Sequence, residues 1–415
     1  MIARLAISLL LLLSPSAHGL TLQDHEENEY TIQQHPAEGK LLALWFTDLA
    51  DESRPHFQAL LSSMAAEGIE VWSTRMLEDL FLTRDDATIM KLDGSRIAAL
   101  IAAATEQTDK EILLVSYDKM SIPLLRGVRH WQQHYPHSPQ LVGSALHYPN
   151  LFIAPTRAGA SPTPAPILSL TNTPVALFQP TQGQHAKRAN VVMETLWEAG
   201  AAATLQPLSD IRDWYLMHKP GQYPAEAPVR AALPRQHLQL AQQMRFSPFP
   251  EEAVTATVDT TITVESDPYR LIPTPTPSPA PDFQLADADG AVSTLQQYRG
   301  KVVLLNFWAS WCPPCIEELP SMNQIHQRYQ SKGLEIIALN FQESPEQITE
   351  FMQKVAIDFP VLFDQDGGVA HQWNVFSMPT SFLIDRQGNI RYSVSRSIHW
   401  DLPEHTAVLE SLLEE

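Results

Sequence analysis

The chain has 415 residues, a formal net charge of −19 and 33 prolines, but only two cysteines. The length predicts two or three domains, each able to bury a core of its own. The acidic balance argues against a nucleic-acid partner, and two cysteines exclude both a four-cysteine metal site and a multiply disulfide-bonded scaffold.

The N-terminus has the pattern of a secretory signal peptide. Arg4 precedes the apolar run Leu5–Leu13, and Ala17-His18-Gly19 has the small residues of a cleavage site. The apolar run is too short to cross a bilayer, which takes about 20 residues. Residues 1–19 therefore predict export to the periplasm as a soluble protein, with a membrane tether through an uncleaved signal as the alternative.

Residues 20–245 alternate between strand and helix patterns. The strand patterns lie at 41–46, 69–72, 111–116 and 174–178, and the helix patterns at 54–67, 94–105 and 186–199. Such alternation predicts a mostly parallel sheet covered by helices on both faces. A proline cluster at 155–166 is predicted to form an exposed loop.

The order and spacing of these elements resemble an α/β-hydrolase over about residues 40–220. The nucleophile elbow of that fold has the pattern G-x-S-x-G, and the corresponding residues here run from Ser116 through Asp118 to Met120. Both glycines and the serine are missing, and His218 has no evident acidic partner. The resemblance implies a hydrolase-like scaffold without catalysis, which would recruit a partner protein; Asp118 as a carboxylate nucleophile is the alternative.

Proline marks the boundary between the two halves of the chain. Prolines recur at every second position from Pro273 to Pro281. Proline cannot donate to a strand ladder and favours polyproline II, so residues 246–281 are predicted to form a semi-rigid spacer.

Residues 282–415 predict a second α/β domain with mixed strand directions. Its strand patterns lie at 302–308, 334–341, 359–363 and 380–385. Ser344-Pro-Glu-Gln347 is a capping box that opens an amphipathic helix. A closing helix is predicted at 401–415.

The two cysteines form the motif Cys312-Pro-Pro-Cys315 at a strand-to-helix junction, a position typical of a redox site. The N–H groups and dipole of the helix N-terminus favour a thiolate at Cys312, which would attack a partner disulfide. Cys315, one turn along, would then resolve the mixed disulfide. A purely structural disulfide would close too short a loop to stabilise the fold, and a zinc site would need two histidines such as His326.

The stretch 302–315 resembles the active-site signature of the thioredoxin fold, and more narrowly that of the exported TlpA/ResA/CcmG thiol–disulfide oxidoreductases. The resemblance covers 282–415. It implies that Met378 and Pro379 form a loop with a cis peptide bond, which binds substrate together with Trp311. It also implies that Glu318, three residues after Cys315, is the base that takes the proton of the Cys315 thiol.

The predicted function is therefore reduction of disulfides in envelope proteins, with electrons from a membrane thiol donor. Neither a metal nor another cofactor is expected, because the protein thiols carry the electrons. His130, His134 and His137 are interpreted as polar surface residues. One alternative is a redox-regulated binding protein whose N-terminal domain recruits a partner. The other is a thiol peroxidase. Ala309 argues against this alternative, because peroxidases have a threonine that positions the peroxide three residues before the reactive cysteine.

Overall fold

A computed structural model describes residues 18–23, 28–47, 54–83, 85–155, 157–247, 249–255 and 270–415. These residues form two compact units, one drawn from Met1–Leu151 and Ala165–Thr261 and the other from Phe152–Pro164 and Ile262–Glu415. The predicted signal peptide lies outside the described residues except for His18 and Gly19, which begin a strand. No helix within these ranges has the length and apolar character needed to cross a membrane.

The first unit, within the described ranges, holds an eight-stranded sheet and seven α-helices. The strands are β1 (His18–Gln23), β2 (Glu29–His35), β3 (Leu41–Phe46), β4 (Ile69–Thr74), β5 (Glu111–Tyr117), β6 (Leu141–His147), β9 (Val175–Pro180) and β10 (Ala203–Leu208). Two short strands that intervene in the chain, β7 (Phe152–Ile153) and β8 (Thr163–Pro164), belong to the second unit. The helices are α1 (Pro55–Ala66), α2 (Met76–Asp79), α3 (Asp86–Lys91), α4 (Ser95–Gln107), α5 (Ser121–His134), α6 (Ala189–Glu198) and α7 (Glu226–Met244).

The predicted parallel sheet is present in this unit. The strand order is β1-β2-β4-β3-β5-β6-β9-β10, in which the six strands from β4 to β10 run parallel to one another. Strands β1 and β2 are added antiparallel at one edge. All six residues of β3 are buried, as expected for a parallel strand with both faces covered.

A chain of hydrogen bonds between rings is buried in the first unit. His147 Nδ1 lies 2.5 Å from the Tyr215 hydroxyl, and His147 Nε2 lies 3.2 Å from His237 Nε2. His237 Nδ1 lies 2.7 Å from the Leu233 carbonyl oxygen, so this nitrogen carries the proton and Nε2 accepts from His147. Burial lowers the pKa of His147 well below its usual value and that of His237 to about 4. Both rings are therefore neutral at physiological pH.

The second unit is built on a six-stranded sheet among the described residues, in the order β11-β18-β17-β14-β15-β16. Besides β7 and β8, its strands are β11 (Ile272–Pro279), β12 (Gln284–Ala286), β13 (Val292–Thr294), β14 (Val302–Trp308), β15 (Leu334–Phe341), β16 (Val361–Asp364), β17 (Thr380–Ile384) and β18 (Asn389–Val394). Its helices are α8 (Pro313–Tyr329), α9 (Pro345–Met352), α10 (Gly368–Gln372) and α11 (Pro403–Glu414). Strands β14, β15 and β16 are parallel, and β17, β18 and β11 continue the sheet antiparallel. This is the mixed α/β arrangement predicted for residues 282–415.

The prediction of a polyproline spacer is wrong from residue 272 onward. Strand β11 pairs antiparallel with β18 at the edge of the sheet, with a register shift between Pro273 and Ser278. Alternate residues of a strand direct their N–H groups to the same side, so prolines spaced by two remove donors from one side only. An edge strand needs donors on a single side, and an alternating proline pattern is therefore compatible with it.

The prediction of an exposed loop at 155–166 is also wrong in part. Ala158 is buried in a hydrophobic cluster with Phe307 and Phe382 of the second unit. Asn374 Nδ2 donates to the carbonyl oxygen of Gly159 at 3.2 Å. Gly159 has a φ of +82°, and a Cβ there would lie 3.1 Å from the Phe382 ring. The small residues Ala158 and Gly159 allow this segment to pack closely against Phe382, and the prolines of the segment gave no indication of this packing.

Candidate functional site

The turn from β14 to α8 carries the two cysteines. All seven residues of β14 are buried in the centre of the sheet, which fixes the point where the chain leaves it. Cys312 is the N-cap of α8, and Pro313 and Pro314 occupy the first turn, where the missing N–H groups of proline leave no helical hydrogen bond unmade. The predicted strand-to-helix junction is therefore present.

Cys312 and Cys315 are joined by a disulfide. The Cys312 sulfur also accepts the backbone N–H of Cys315 at 3.3 Å, so it lies at the donor end of the helix. Of the two side chains, Cys312 is 5% exposed and Cys315 is fully buried. Cys312 is therefore the more accessible of the two residues.

Glu318 lies one turn beyond Cys315 on α8 and is buried. Asn306 Nδ2, from the middle of β14, donates to Glu318 Oε1 at 2.8 Å and to Ser381 Oγ at 2.9 Å. Burial raises the pKa of the Glu318 carboxyl to about 8, and the hydrogen bond from Asn306 works in the opposite direction. A carboxyl group with a pKa near the ambient pH can both accept and release a proton.

The loop before β17 has the predicted backbone form. The peptide bond between Met378 and Pro379 is cis. Met378 and Trp311 are both partly buried and pack against the hydrophobic cluster that contains Cys312 and Cys315. The structure therefore brings the residues predicted from the sequence together around one disulfide.

Glu343, which the sequence patterns did not single out, holds the turn in front of Cys312. It is buried in the loop after β15 and accepts three hydrogen bonds. Ser310 donates its backbone N–H at 2.7 Å and its hydroxyl at 2.6 Å, and Asn340 Nδ2 donates at 2.9 Å. The sequence did contain a signal for the role of Glu343, because this acidic residue lies between a buried parallel strand and a capping box.

Replacing Glu343 with alanine is expected to destabilise the second unit by about 2 kcal/mol, because three donors, one of them on the buried Asn340, lose their acceptor. Chemical denaturation followed by tryptophan fluorescence would measure this loss. Glu350→Ala is the matched control, because Glu350 lies on α9 in an exposed pair with Lys354 and should change stability by less than about 0.5 kcal/mol. Equal effects of the two substitutions would show that Glu343 does not hold the turn.

The two candidate catalytic residues of the first unit, Asp118 and His218, lie in different parts of the chain. Asp118 begins a 3-10 turn directly after β5 and has a φ of +46°. His218 Nδ1 lies 2.6 Å from Glu226 Oε1, and Arg230 Nη2 donates to Glu226 Oε2 at 3.0 Å. The expectation that His218 lacks an acidic partner is wrong, because the partner comes from α7, a helix absent from the sequence predictions.

Comparison with known proteins bears on the second unit. The AhpC/TSA family model matches residues 277–393. The thiol–disulfide oxidoreductase ResA of Geobacillus thermodenitrificans is 38% identical over 133 residues, which are 32% of this chain and 75% of that protein. ResA of Geobacillus kaustophilus is 40% identical over 115 residues, 28% of this chain and 66% of that protein. The thioredoxin-like protein YneN of Bacillus subtilis is 41% identical over 114 residues, 27% of this chain and 66% of that protein.

Similarity to solved structures also covers only part of this chain. A Chlorobium tepidum protein assigned as thiol:disulfide interchange protein DsbE is 36% identical, with a TM-score of 0.30, over 33% of this chain and 94% of that one. A protein assigned as a disulfide isomerase from Bacteroides thetaiotaomicron is 28% identical, with a TM-score of 0.29, over 33% of this chain and 88% of that one. In each case the similarity covers about a third of the present chain.

Proposed function

Since the chain belongs, through its C-terminal unit, to the ResA-like thiol–disulfide oxidoreductases, we propose that it reduces disulfides of exported proteins through the Cys312–Cys315 pair. One observation carries this proposal. The more accessible cysteine caps the N-terminus of α8, while its partner is buried one turn along the same helix. That is the arrangement an attacking thiolate and a resolving thiol require.

Reduction proceeds in two exchanges. The Cys312 thiolate attacks one sulfur of the substrate disulfide, and the other substrate sulfur leaves as a thiolate and takes up a proton. Cys315 then attacks the Cys312 sulfur of the mixed disulfide and releases the second substrate thiol. The substrate gains two electrons and two protons, and the protein dithiol becomes the Cys312–Cys315 disulfide.

Glu318 is proposed to move the proton of Cys315 in the second exchange. Its burial and its raised pKa support this role, because a carboxylate with a pKa of about 8 is a strong enough base to accept a thiol proton. Asn306 is proposed to orient the carboxyl group through the hydrogen bond to Oε1. The same carboxyl returns the proton to Cys315 when a donor dithiol regenerates the enzyme.

The loop at Met378–Pro379 is proposed to hold the substrate backbone beside Cys312, with Trp311 against the substrate side chains. Its support is the position of the loop directly before β17 together with the packing of Met378 against the cluster around the disulfide. The predicted signal peptide supports action in the periplasm. There a membrane thiol donor would resupply the electrons.

The direction of electron flow is tested by the equilibrium potential of the Cys312–Cys315 pair. Full-length protein would be equilibrated in glutathione buffers, and the reduced fraction measured by alkylation and mass spectrometry. A reductase is expected to lie towards the thioredoxin value of about −270 mV. A potential near about −120 mV, typical of a strong oxidant, would overturn the reductase assignment.

We propose in addition that the N-terminal unit is a hydrolase-like scaffold without catalysis, which recruits a partner protein. The parallel sheet supports the hydrolase-like scaffold. The lack of both glycines and of the serine of the G-x-S-x-G pattern around Asp118 supports the absence of catalysis. Glu226 and Arg230 hold His218 in a hydrogen-bonded group. Turnover of any ester in a broad panel, abolished by Asp118→Ala, would overturn the non-catalytic assignment.

A further inference from the structure

One segment of the second unit comes from the N-terminal half of the chain. Phe152–Pro164 belongs to the second unit, although the chain on either side of it belongs to the first. We call this segment the arm. Its base is closed by the pairing of β7 with β8, and the Ala165 N–H donates to the Leu151 carbonyl oxygen at 2.8 Å. The arm lies outside residues 277–393, which match the family model, so its contacts are additions to the matched fold.

The tip of the arm packs on the face of the six-stranded sheet that lies opposite α8. Ala158 is buried in the hydrophobic cluster that contains Phe307 of β14. The next residue of β14, Trp308, belongs to the cluster around the disulfide. Successive side chains of a strand point to opposite faces of a sheet, so the arm and the disulfide lie on different faces. Any effect of the arm on the reaction must therefore act through other residues.

The tip contacts the chain shortly before the loop at Met378–Pro379. Asn374 Nδ2 donates to the Gly159 carbonyl oxygen at 3.2 Å. Asn374 has a left-handed backbone, with a φ of +51°, in the turn that leads from α10 into the loop. Asparagine is one of the few residues besides glycine that adopt this conformation readily. The hydrogen bond therefore ties the arm to one end of the loop.

The tip also contacts the strand that follows the loop. A Cβ at Gly159 would lie 3.1 Å from the Phe382 ring of β17 and 3.8 Å from the Trp373 carbonyl oxygen. The rings of Trp373 and Phe382 are themselves in contact, with centroids 5.0 Å apart. The absence of a side chain at Gly159 thus lets the tip lie against residues on both sides of the loop.

These contacts bear on how the loop binds a substrate. A loop whose two ends are restrained has fewer conformations, so it loses less entropy when it holds a polypeptide backbone. Cys312 is placed separately, by β14 and by the N-terminus of α8. Loss of the arm's contacts should therefore weaken the hold on a polypeptide and leave the attack by the Cys312 thiolate unchanged.

We propose that the arm is a positioning element of the active site, whose tip at Ala158 and Gly159 restrains both ends of the loop that holds the substrate backbone. The proposal rests on the function proposed above, because that function assigns the loop at Met378–Pro379 to substrate binding.

The test compares two disulfides as oxidants of the full-length protein, which is reduced with dithiothreitol and freed of it. Insulin has a polypeptide backbone beside its disulfides, whereas bis(2-hydroxyethyl) disulfide has none. The second-order rate constant for oxidation of the protein by each is measured by stopped-flow tryptophan fluorescence. The equilibrium potential of the cysteine pair is measured for every variant in glutathione buffers.

Two substitutions remove the contacts on the two sides of the loop. Gly159→Ala places a methyl group 3.1 Å from the Phe382 ring, and Asn374→Asp replaces the donor with a carboxylate that repels the Gly159 carbonyl oxygen. Each is expected to slow oxidation by insulin about tenfold and oxidation by the small disulfide less than about twofold, because a misplaced substrate reacts more slowly with an unaltered thiol. The potential of the cysteine pair should stay at the wild-type value.

Gly290→Ala is the matched control. Gly290 lies between β12 and β13 of the same unit and has the same φ as Gly159, +82°. A Cβ at Gly290 would meet no atom of the described residues within 4 Å, so this substitution introduces the backbone strain without the contact. Both rate constants should stay at their wild-type values. A loss with insulin equal to that of Gly159→Ala would assign the effect to strain and overturn the inference.

The remaining outcomes separate this inference from the proposed function. Insulin rate constants within about twofold of wild type in both arm variants would overturn the inference alone. Equal losses with the two disulfides in both variants would also overturn it, because the arm would then affect the cysteines rather than the loop. Failure of both disulfides to oxidise the reduced wild-type protein would overturn the proposed function and the inference with it.

Discussion

Replacing Cys315 with serine is expected to turn the protein into a covalent trap for its substrates. Cys312 keeps its place at the N-cap of α8 and can still form the mixed disulfide, but no thiol remains to resolve it. Steady-state reduction of insulin should fall by more than about a thousandfold, since the covalent route is cut at its second step. Non-reducing electrophoresis and mass spectrometry should show insulin chains linked to Cys312 and released by dithiothreitol.

Cys312→Ser is the control that tests the order of attack. Its remaining thiol, Cys315, is fully buried and should form no adduct with insulin. The chain has no other cysteine, so every adduct can be assigned to one of two sulfurs. Adducts on Cys315 in amounts equal to those on Cys312 would show that the assignment of the attacking thiol is wrong.

Glu318→Gln is expected to slow resolution of the mixed disulfide by about a hundredfold, the usual contribution of a positioned acid or base. Glutamine keeps the size of the side chain and an oxygen to accept from Asn306, but cannot take up a proton. The rate of the second exchange in wild-type protein should change with an apparent pKa near 8, and this step should vanish from the variant. Rapid quenching of single turnovers between pH 6 and 10 would measure it, and an unchanged pH profile would contradict the assigned role.

The same substitution has a consequence for stability that depends on pH. The carboxyl group has a pKa of about 8 in the folded protein and about 4.5 in the unfolded chain, so between these values only the folded state binds the proton. Stability therefore falls as the pH rises from 4.5 to 8, by on the order of 5 kcal/mol. Glu318→Gln removes this dependence, and its second unit should be more stable than wild type above pH 8. Denaturation midpoints that run parallel for the two proteins across this pH range would contradict the buried carboxyl.

The features of the active site that could be predicted from the sequence are those set by neighbouring residues along the chain. The β14 strand, the capping box at Ser344 and the start of α8 depend on apolar runs and on local hydrogen bonds, which a sequence displays directly. The burial of Glu318 was also predictable, because a position one turn after a buried cysteine faces the same way.

The remaining features depend on residues far apart in the chain. Glu343 contacts Ser310 across 33 positions, and Ser381 joins Asn306 across 75. The histidine chain of the first unit likewise joins β6 to α7. No local sequence pattern indicates such contacts, because each of these residues is of a type that is common in ordinary loops, strands or helices. The prolines of β11 are a different case. The local rule that proline cannot donate a backbone hydrogen bond was right, but an edge strand needs N–H donors on one side only, so the rule did not exclude a strand.

These prolines also limit how the protein can associate. The edge of a β-sheet is a template on which further strands can assemble, and it is a common starting point for aggregation. A strand that lacks N–H donors at alternate positions cannot offer a complete ladder to an incoming chain. Partly unfolded chains expose unpaired strands, and at its edge β11 presents them with an incomplete ladder of donors.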